Sequence, residues 1–556
     1  MPNFPKTYSM VISLSLRPRF MLFSLFSLLI SVKIILVTHH FRLTQPTNII
    51  HLDKQSLSTT LEPPKWLDVI KGNYLAHKER DLRVGFFNFE ANQLSPLLLR
   101  GIVDPVTIEL EPISPNVTWD KLFPAVIGDN PRCPEIPTPN AREYPTLDVV
   151  VAQLPCGEGY NKSQTEGIRD VHRLQLSLAT AHLIVESAMN GNESKDVYGV
   201  FISKCEPMVE MFRCDDLIWN EGDYWIYKPE VDRLKEILNM PIGTCEFALP
   251  YVGDPNEPRT LQLQVNSISK HRPKAMMRQK EAYVTVLHSS ESYVCGAITL
   301  AHSILLTNTT KDLVQLADRT ISNHSIAGLQ AAGWKIKWIE RIKSPYAKVT
   351  AYNVWNYSKL RVWQLIEYSK VIFIDSDFIV LRNLDHFFHY PQLTARLDHG
   401  FYFNSGIILL EPSECLFNTL MNKRFTLNSY NGGDQGYMNE VLTYWHRVPL
   451  NLSSMKVFLN NAKVGKRAVS MNPYTIHFFG LKPWTCYRDY DCNWDSEDLR
   501  KFASDHFHSQ WWKVHDDKPK QLQMHCSMTK TRDATIRQWL YYKKARLNIY
   551  FTKSSH

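Results

Sequence analysis

Val371-Ile372-Phe373-Ile374-Asp375-Ser376-Asp377 is the stretch on which the reading of this chain turns. Four consecutive apolar residues read as a buried strand, and two carboxylates follow at its exposed end. Alternate side chains of an extended segment share one side, so Asp375 and Asp377 can both turn oxygens toward one hard divalent cation, directly or through its water. The chain carries its own control. Asp489-Tyr490-Asp491 has the same spacing, but it sits in an aromatic and polar stretch with no apolar strand before it. The second triplet therefore reads as solvated loop carboxylates, and the first as a metal site that seeks an anionic ligand.

Working outward, Phe403-Asn404-Ser405-Gly406 leads into the apolar strand Ile407-Ile408-Leu409-Leu410. Small polar residues beside a glycine let a ligand hydroxyl approach the backbone, although a plain turn before a strand looks the same. Asn431-Gly432-Gly433-Asp434-Gln435-Gly436 places three glycines around a carboxylate and a carboxamide. Such a tight loop can bracket sugar hydroxyls or simply cap a helix. In His477-Phe478-Phe479-Gly480-Leu481-Lys482-Pro483-Trp484, the histidine follows a short strand, Tyr474-Thr475-Ile476, and can add an imidazole to the two carboxylates. An O,O,N ligand set suits manganese, which accepts imidazole more readily than magnesium does. Lys482 can set an ammonium against a diphosphate. Together these groups describe a site for a nucleotide-diphosphate sugar. No P-loop, no dinucleotide fingerprint and no Gly-x-Ser-x-Gly elbow occurs, which leaves NTP hydrolysis, dinucleotide redox and serine hydrolysis without support.

The 556 residues exceed one ordinary core. A net charge of +8, from 63 basic and 55 acidic residues, is spread too thinly along the chain to argue for a nucleic-acid partner. Phe20 to Val37 is an apolar run interrupted by Lys33, its one charge, and preceded by Lys6, Arg17 and Arg19. At ~1.5 Å per residue it spans roughly 27 Å, enough for a thin bilayer if Lys33 snorkels. Thr38-His39-His40-Phe41-Arg42 lacks the small-x-small pattern of a cleaved signal peptide, so an uncleaved anchor is expected. The basic flank would stay cytoplasmic and the remainder lumenal. Sequons at Asn116, Asn161, Asn192, Asn308, Asn323, Asn356 and Asn451, and ten cysteines with no Cys-x-x-Cys, permit that address without requiring it. Cys486 with Cys492 is the preferred disulfide.

These patterns divide the chain into a cytoplasmic tail (1–19), a transmembrane signal anchor (20–37), a stem (38–80), a first α/β domain (81–275), a second α/β domain that holds the chemistry (281–510) and a basic C-terminal tail (511–556). In the first domain, Val84 to Phe89, Val149 to Ala152 and Tyr198 to Ile202 read as strands and Asp170 to Glu186 as an amphipathic helix. Pro131 to Pro145 reads as a long ordered loop. In the second domain, Tyr283 to Leu287 is the first strand.

Residues 281 to 510 resemble glycosyltransferase family 8, the glycogenin-like retaining transferases of GT-A fold. The resemblance rests on Leu287 to Tyr293, Ser358-Lys359-Leu360, Asp375-Ser376-Asp377, Asn404-Ser405-Gly406, Gly432 to Gly436 and His477-x-x-Gly480-x-Lys482-Pro483-Trp484. The first domain is similar to the extra domain of one plant branch, the xylan glucuronyltransferases once called plant glycogenin-like starch initiation proteins. Thr118 to Phe123, Cys133 to Pro137 and Phe212 to Asp216 carry that likeness.

The resemblance implies that Asp375, Asp377 and His477 hold Mn2+, and that Leu287 and Tyr293 contact the uridine end. It assigns Lys359 and Lys482 to the charged donor, and Asn404, Ser405, Asp434 and Gln435 to its sugar. Ser376, Gly406, Asn431, Gly432, Gly433 and the run Phe478-Phe479-Gly480-Leu481 would complete the donor site, with Lys359, Asp434 and Gln435 closest to the chemistry. Where glycogenin-like members carry Thr and Asn, this chain reads His288-Ser289-Ser290-Glu291. The branch alone selects UDP-glucuronate as donor, xylan as acceptor and a single-pass type II location in the Golgi membrane. A cation must face the donor carboxylate, and Arg361 and Arg382 are candidates. Trp484, Trp494, Trp511 and Trp512 are candidates for stacking on acceptor rings, with core packing the competing role. The alternatives are a self-glucosylating enzyme, another UDP-sugar transferase of the family, and a catalytically silent scaffold in a complex of Golgi polysaccharide synthases.

Overall fold

A computed structural model describes residues 64–73, 81–88, 103–127, 132–157, 166–190, 195–248, 280–449, 451–456, 472–495 and 500–553. The expected anchor lies outside these residues, as does most of the stem. None of the helices among the described residues is long and apolar enough to cross a membrane.

The first α/β unit is built on a six-stranded sheet. Its strands are β1 (Arg83–Phe87), β2 (Asp104–Thr107), β3 (Val149–Gln153), β4 (Tyr198–Ile202), β5 (Leu217–Glu221) and β6 (Tyr224–Tyr227), in the order β2-β1-β3-β4-β6-β5. The first four positions are mutually parallel, and β6 and β5 close the edge as an antiparallel pair. The helix Val171–Met189, capped by the Asp170 carboxylate on the Arg173 amide, buries most of its length against the sheet. The expected stem boundary at 80 is corrected here. Lys65–Asn73 is helical, and Trp66, Leu67 and Ile70 at helical spacing enter the core of this sheet.

The second unit has a seven-stranded mixed sheet and a three-stranded one. Its strands are β7 (Glu281–Leu287), β8 (Asp312–Ala317), β9 (Lys335–Trp338), β10 (Lys370–Ile374), β11 (Phe378–Val380), β12 (Thr394–His399), β13 (Tyr402–Leu410), β14 (His446–Arg447), β15 (Ser453–Met455) and β16 (Thr475–His477). The large sheet runs β14-β12-β13-β10-β7-β8-β9 and the small one β11-β16-β15. Val371 to Ile374 are buried at the centre of the large sheet, between β7 and the antiparallel β13. Asp375-Ser376-Asp377 is the corner at which the chain leaves that sheet and enters the small one.

The two α/β regions share a continuous apolar core that runs from Leu174 and Ile184 to Leu410, Tyr437 and Trp445. Covalent and ionic ties reinforce it: Cys214 is bonded to Cys415, and Arg213 pairs with Glu411 at 2.9 Å. All ten cysteines are paired, including Cys486 with Cys492 as expected. The proline-rich loop is pinned through Cys133 to Cys245.

The expected boundary at 510 falls inside a helix, Asp505–Asp517, whose Phe507, Trp511 and Val514 pack on Ile379, Ile476, Phe478 and Trp484. Cys526 is bonded to Cys295, so this part of the C-terminal segment is built into the second unit and is not a solvated tail. Trp484 and Trp511 are core residues.

Candidate donor-sugar and metal site

Strand pairing brings the candidate metal ligands together. Phe378 lies opposite His477 across the β11–β16 ladder, their rings stacked 4.0 Å apart, and the Phe478 amide donates to the Asp377 carbonyl at 2.9 Å. The end of one short strand is thereby fixed beside the start of another, and His477 Nε2 stands 3.4 Å from Asp377 Oδ1. One ligand atom each from Asp375, Asp377 and His477 falls within a 4.8 Å cluster. His477 Nδ1 is buried without a hydrogen-bond partner. Two carboxylates and an imidazole gathered at this range fit a divalent cation.

Charge around the cluster is closely matched. Lys482 Nζ lies 2.6 Å from Asp377 Oδ2 and donates to the Phe478 carbonyl. Burial acts to raise the Asp377 carboxyl, but Lys482 and His477 outweigh it and hold it below the usual carboxylate range. Asp375 ends on the other side of that range: burial pushes it up, with Lys359 opposing the rise and Asp377 adding to it. Burial, helped by Lys482 and Arg396, keeps the His477 imidazole neutral against the pull of Asp377, which is the state that ligates metal.

The residues expected to face the donor sugar come from β13 and the helix Asp434–Val441. Asn404, Ser405 and Gly406 lie within the strand, not in a turn ahead of it as the alternative reading had them. A Cβ on Gly406 would stand 2.8 Å from His477 Cε1 and 2.8 Å from Asn404 Oδ1, so only glycine lets the imidazole and the carboxamide close on this strand. Ser405 Oγ donates to Asp434 Oδ2 at 2.8 Å, and Gln435 Oε1 accepts from both the Asn404 side chain and the Ser405 amide at 3.1 Å. Lys359, buried, joins the two halves by reaching Asp434 at 2.6 Å and Asp375 at 3.2 Å. Asn431 acts as a staple: its Oδ1 accepts from the amides of Gly433 and Gly436, and Gly432 holds the positive φ of 67° that the turn needs.

The remaining expected residues divide by exposure. Leu287 and Phe478 are core side chains and Ser376 is buried in the corner, so only their backbone can meet a ligand. Tyr293 is more than a third exposed, edge-on to Trp484, with Lys482 5.9 Å from its ring centre. Phe479 stacks on Phe502, and Gly480 carries a positive φ of 73° on the way to Leu481 and Lys482. Of the candidate carboxylate readers, Arg361 bonds the Glu340 carbonyl and Gln364, and Arg382 lies over the ring of Tyr474.

Several site residues escaped the sequence reading. Asp398 accepts from Gln435 Nε2 at 3.1 Å and from Asn404 Nδ2 at 3.3 Å. Its position follows from the two-residue turn Gly400-Phe401, which folds β12 back beside β13; the tripeptide Asp-His-Gly was the available signal. Arg396 stands directly across the ladder from Asn404, on the same face. The first α/β region contributes as well. Arg169 bonds Glu440 and the Asn439 carbonyl, and Glu210 accepts the amides of Thr443 and Tyr444, so this region braces the helix that carries Asp434 and Gln435.

Comparison with known proteins agrees with this geometry. Residues 56–245 match the GUX1-5 N-terminal domain and residues 284–394 match Glycosyl transferase family 8. UDP-glucuronate:xylan alpha-glucuronosyltransferase 2 of Arabidopsis thaliana is 44% identical over 504 residues, covering 88% of this chain and 82% of that protein. The chain belongs to glycosyltransferase family 8, in its xylan glucuronosyltransferase branch. Another member of that branch, UDP-glucuronate:xylan alpha-glucuronosyltransferase 1 of the same plant, is 41% identical and covers 85% of this chain and 70% of its own length. Glycogenin-1 of Mus musculus, 28% identical, spans only 42% of this chain. As a family 8 glycosyltransferase, the chain has the α/β GT-A-like fold with mixed sheets, and its Asp-Asp-His cluster is a divalent-metal site of the kind such enzymes use.

Proposed function

We propose that this chain is a retaining, Mn2+-dependent glycosyltransferase that moves glucuronate from UDP-glucuronate onto the xylan backbone, from the lumenal side of the Golgi membrane. The observation that carries the reading is the junction of the Asp375, Asp377 and His477 cluster with the Ser405, Asp434 and Gln435 network through one buried lysine, Lys359.

The cation would be held by Asp375, Asp377 and His477, and when bound it supplies the positive charge that lets the UDP leaving group depart without a proton. Lys482 is placed to give up its contact with Asp377 for a phosphate oxygen and share that charge. Asp434 and Gln435 hold the sugar side, where a fixed carboxylate favours the positive charge that develops as the anomeric bond stretches. A donor carboxylate calls for a cation on this same face, and Arg396, across the ladder from Asn404, is placed to supply it.

The apolar run 20–37 with its basic flank supports a single-pass anchor, and five disulfides support an oxidising, lumenal compartment. A donor screen tests the proposal. With xylohexaose and Mn2+, glucuronate from UDP-glucuronate should be transferred, and preferential transfer of glucose or galacturonate would overturn the donor assignment.

A further inference from the structure

The tip of the β12–β13 hairpin carries a set of rings that none of the donor-site roles uses. His399 lies opposite Tyr402 across the ladder with ring centres 5.4 Å apart, and Tyr430, from the loop before Asn431, sits 4.8 Å from Tyr402 and 5.4 Å from His399. Phe401 backs Tyr402 at 4.4 Å. Tyr430 is 42% exposed and the His399 side chain 59%, so the group is open to solvent while its inner edge is anchored. That inner edge is the site itself, because the Tyr430 hydroxyl accepts from Gln435 Nε2 at 2.6 Å. Tyr402 also shares its strand face with Asn404, two residues further along.

The first α/β region supports the same rings from behind. The Arg169 guanidinium lies 4.7 Å from the centre of Phe401 and 5.4 Å from that of Tyr402, and is held there by Glu440. Arg169 therefore links the extra region of this branch to both the Asp434–Val441 helix and the ring cluster.

We propose that His399, Tyr402 and Tyr430 form the acceptor platform, on which pyranose rings of a neutral β-linked pentose chain stack beside the donor sugar. Group transfer needs an acceptor hydroxyl against the reacting sugar, and the exposed surface that continues outward from Gln435 is this one. Aromatic faces match the CH faces of a pyranose, and a pentose ring, which has no exocyclic carbon, lies flat on them. Asp398, the carboxylate next to His399, is engaged with His399, Gln435 and Asn404, so the platform meets the chain through rings and hydroxyls. The inference rests on the acceptor reading given under Proposed function and adds to it the surface that binds the polymer.

The test uses the full chain, with Tyr402→Leu and, for a solvent-facing position, His399→Ala. Both should raise the KM for xylohexaose about tenfold while leaving the KM for the donor and its acceptor-free hydrolysis unchanged, and Tyr402→Phe should restore the value. An unaltered xylohexaose KM in both variants would overturn the platform and leave the donor and acceptor assignments standing. Failure of the unsubstituted chain to use xylohexaose would overturn the acceptor assignment first, and the platform with it.

Discussion

Lys359 Nζ stands 2.6 Å from Asp434 Oδ2, and the same ammonium reaches Asp375 at 3.2 Å, so one buried cation couples the Asp-Asp-His cluster to the network of Ser405, Asp434 and Gln435. Burial acts against the charged lysine, yet the two carboxylates hold its pKa above the ordinary value. Lys359→Ala leaves two carboxylates facing each other without a counter-charge. It is expected to lower kcat/KM by about 10²- to 10³-fold, the scale for losing one preorganised charge, with Lys359→Arg recovering part of the loss. Steady-state kinetics beside thermal unfolding separates this from simple misfolding.

Arg396 is expected to decide between donors. Arg396→Ala should cut kcat/KM for UDP-glucuronate by about ten- to a hundredfold, the worth of a charge-assisted hydrogen bond, while UDP-glucose turnover holds or rises. Equal losses for both donors would remove Arg396 as the reader.

The two Asp-x-Asp triplets should fail in different ways. Asp489 is exposed, but Asp491, expected in solvent, is 2% exposed, pairs with the buried Lys456 at 2.5 Å and accepts the amides of Asn493 and Ser504. Asp491→Ala strands a buried ammonium and should cost about 3–5 kcal/mol of stability, read as a lower unfolding midpoint. Asp377→Asn also removes the partner of a largely buried lysine, Lys482, and should lower the midpoint, but of the two variants it alone should abolish Mn2+ binding, measured by titration.

Lys518 gives a pH signature for the C-terminal segment. It is buried, donates to Thr299 Oγ1 at 2.8 Å, and burial lowers its pKa from 10.5 to about 7. Between those values the unfolded chain holds a proton that the folded chain lacks, so stability rises with pH across the window, by at most about 1.4 kcal/mol per unit. Denaturant unfolding at several pH values should show that slope, and Lys518→Met should abolish it.

The site was largely legible because its parts sit at the ends of short apolar strands, where period and punctuation are strongest. Val371 to Asp377 and Thr475 to His477 announced themselves in that way. Asp398 and Arg396 did not, since their roles come from a hairpin that folds them back onto Asn404, and no local pattern encodes that register. Trp66 and Trp511 were misplaced into a stem and a tail for a related reason. Each belongs to a short helix whose few apolar residues find their partners in sheets distant in sequence. The brace from Arg169 to the Asp434–Val441 helix spans some 270 residues and left no trace in the order of the chain.

The most direct measurement is transfer of glucuronate from UDP-glucuronate to xylohexaose by the purified chain and by Asp375→Ala, each with added Mn2+ and after chelation. The account predicts glucuronosylated product from the unsubstituted chain only when the metal is present, and none from a folded Asp375→Ala. Turnover retained by Asp375→Ala, or undiminished by chelation, would contradict it.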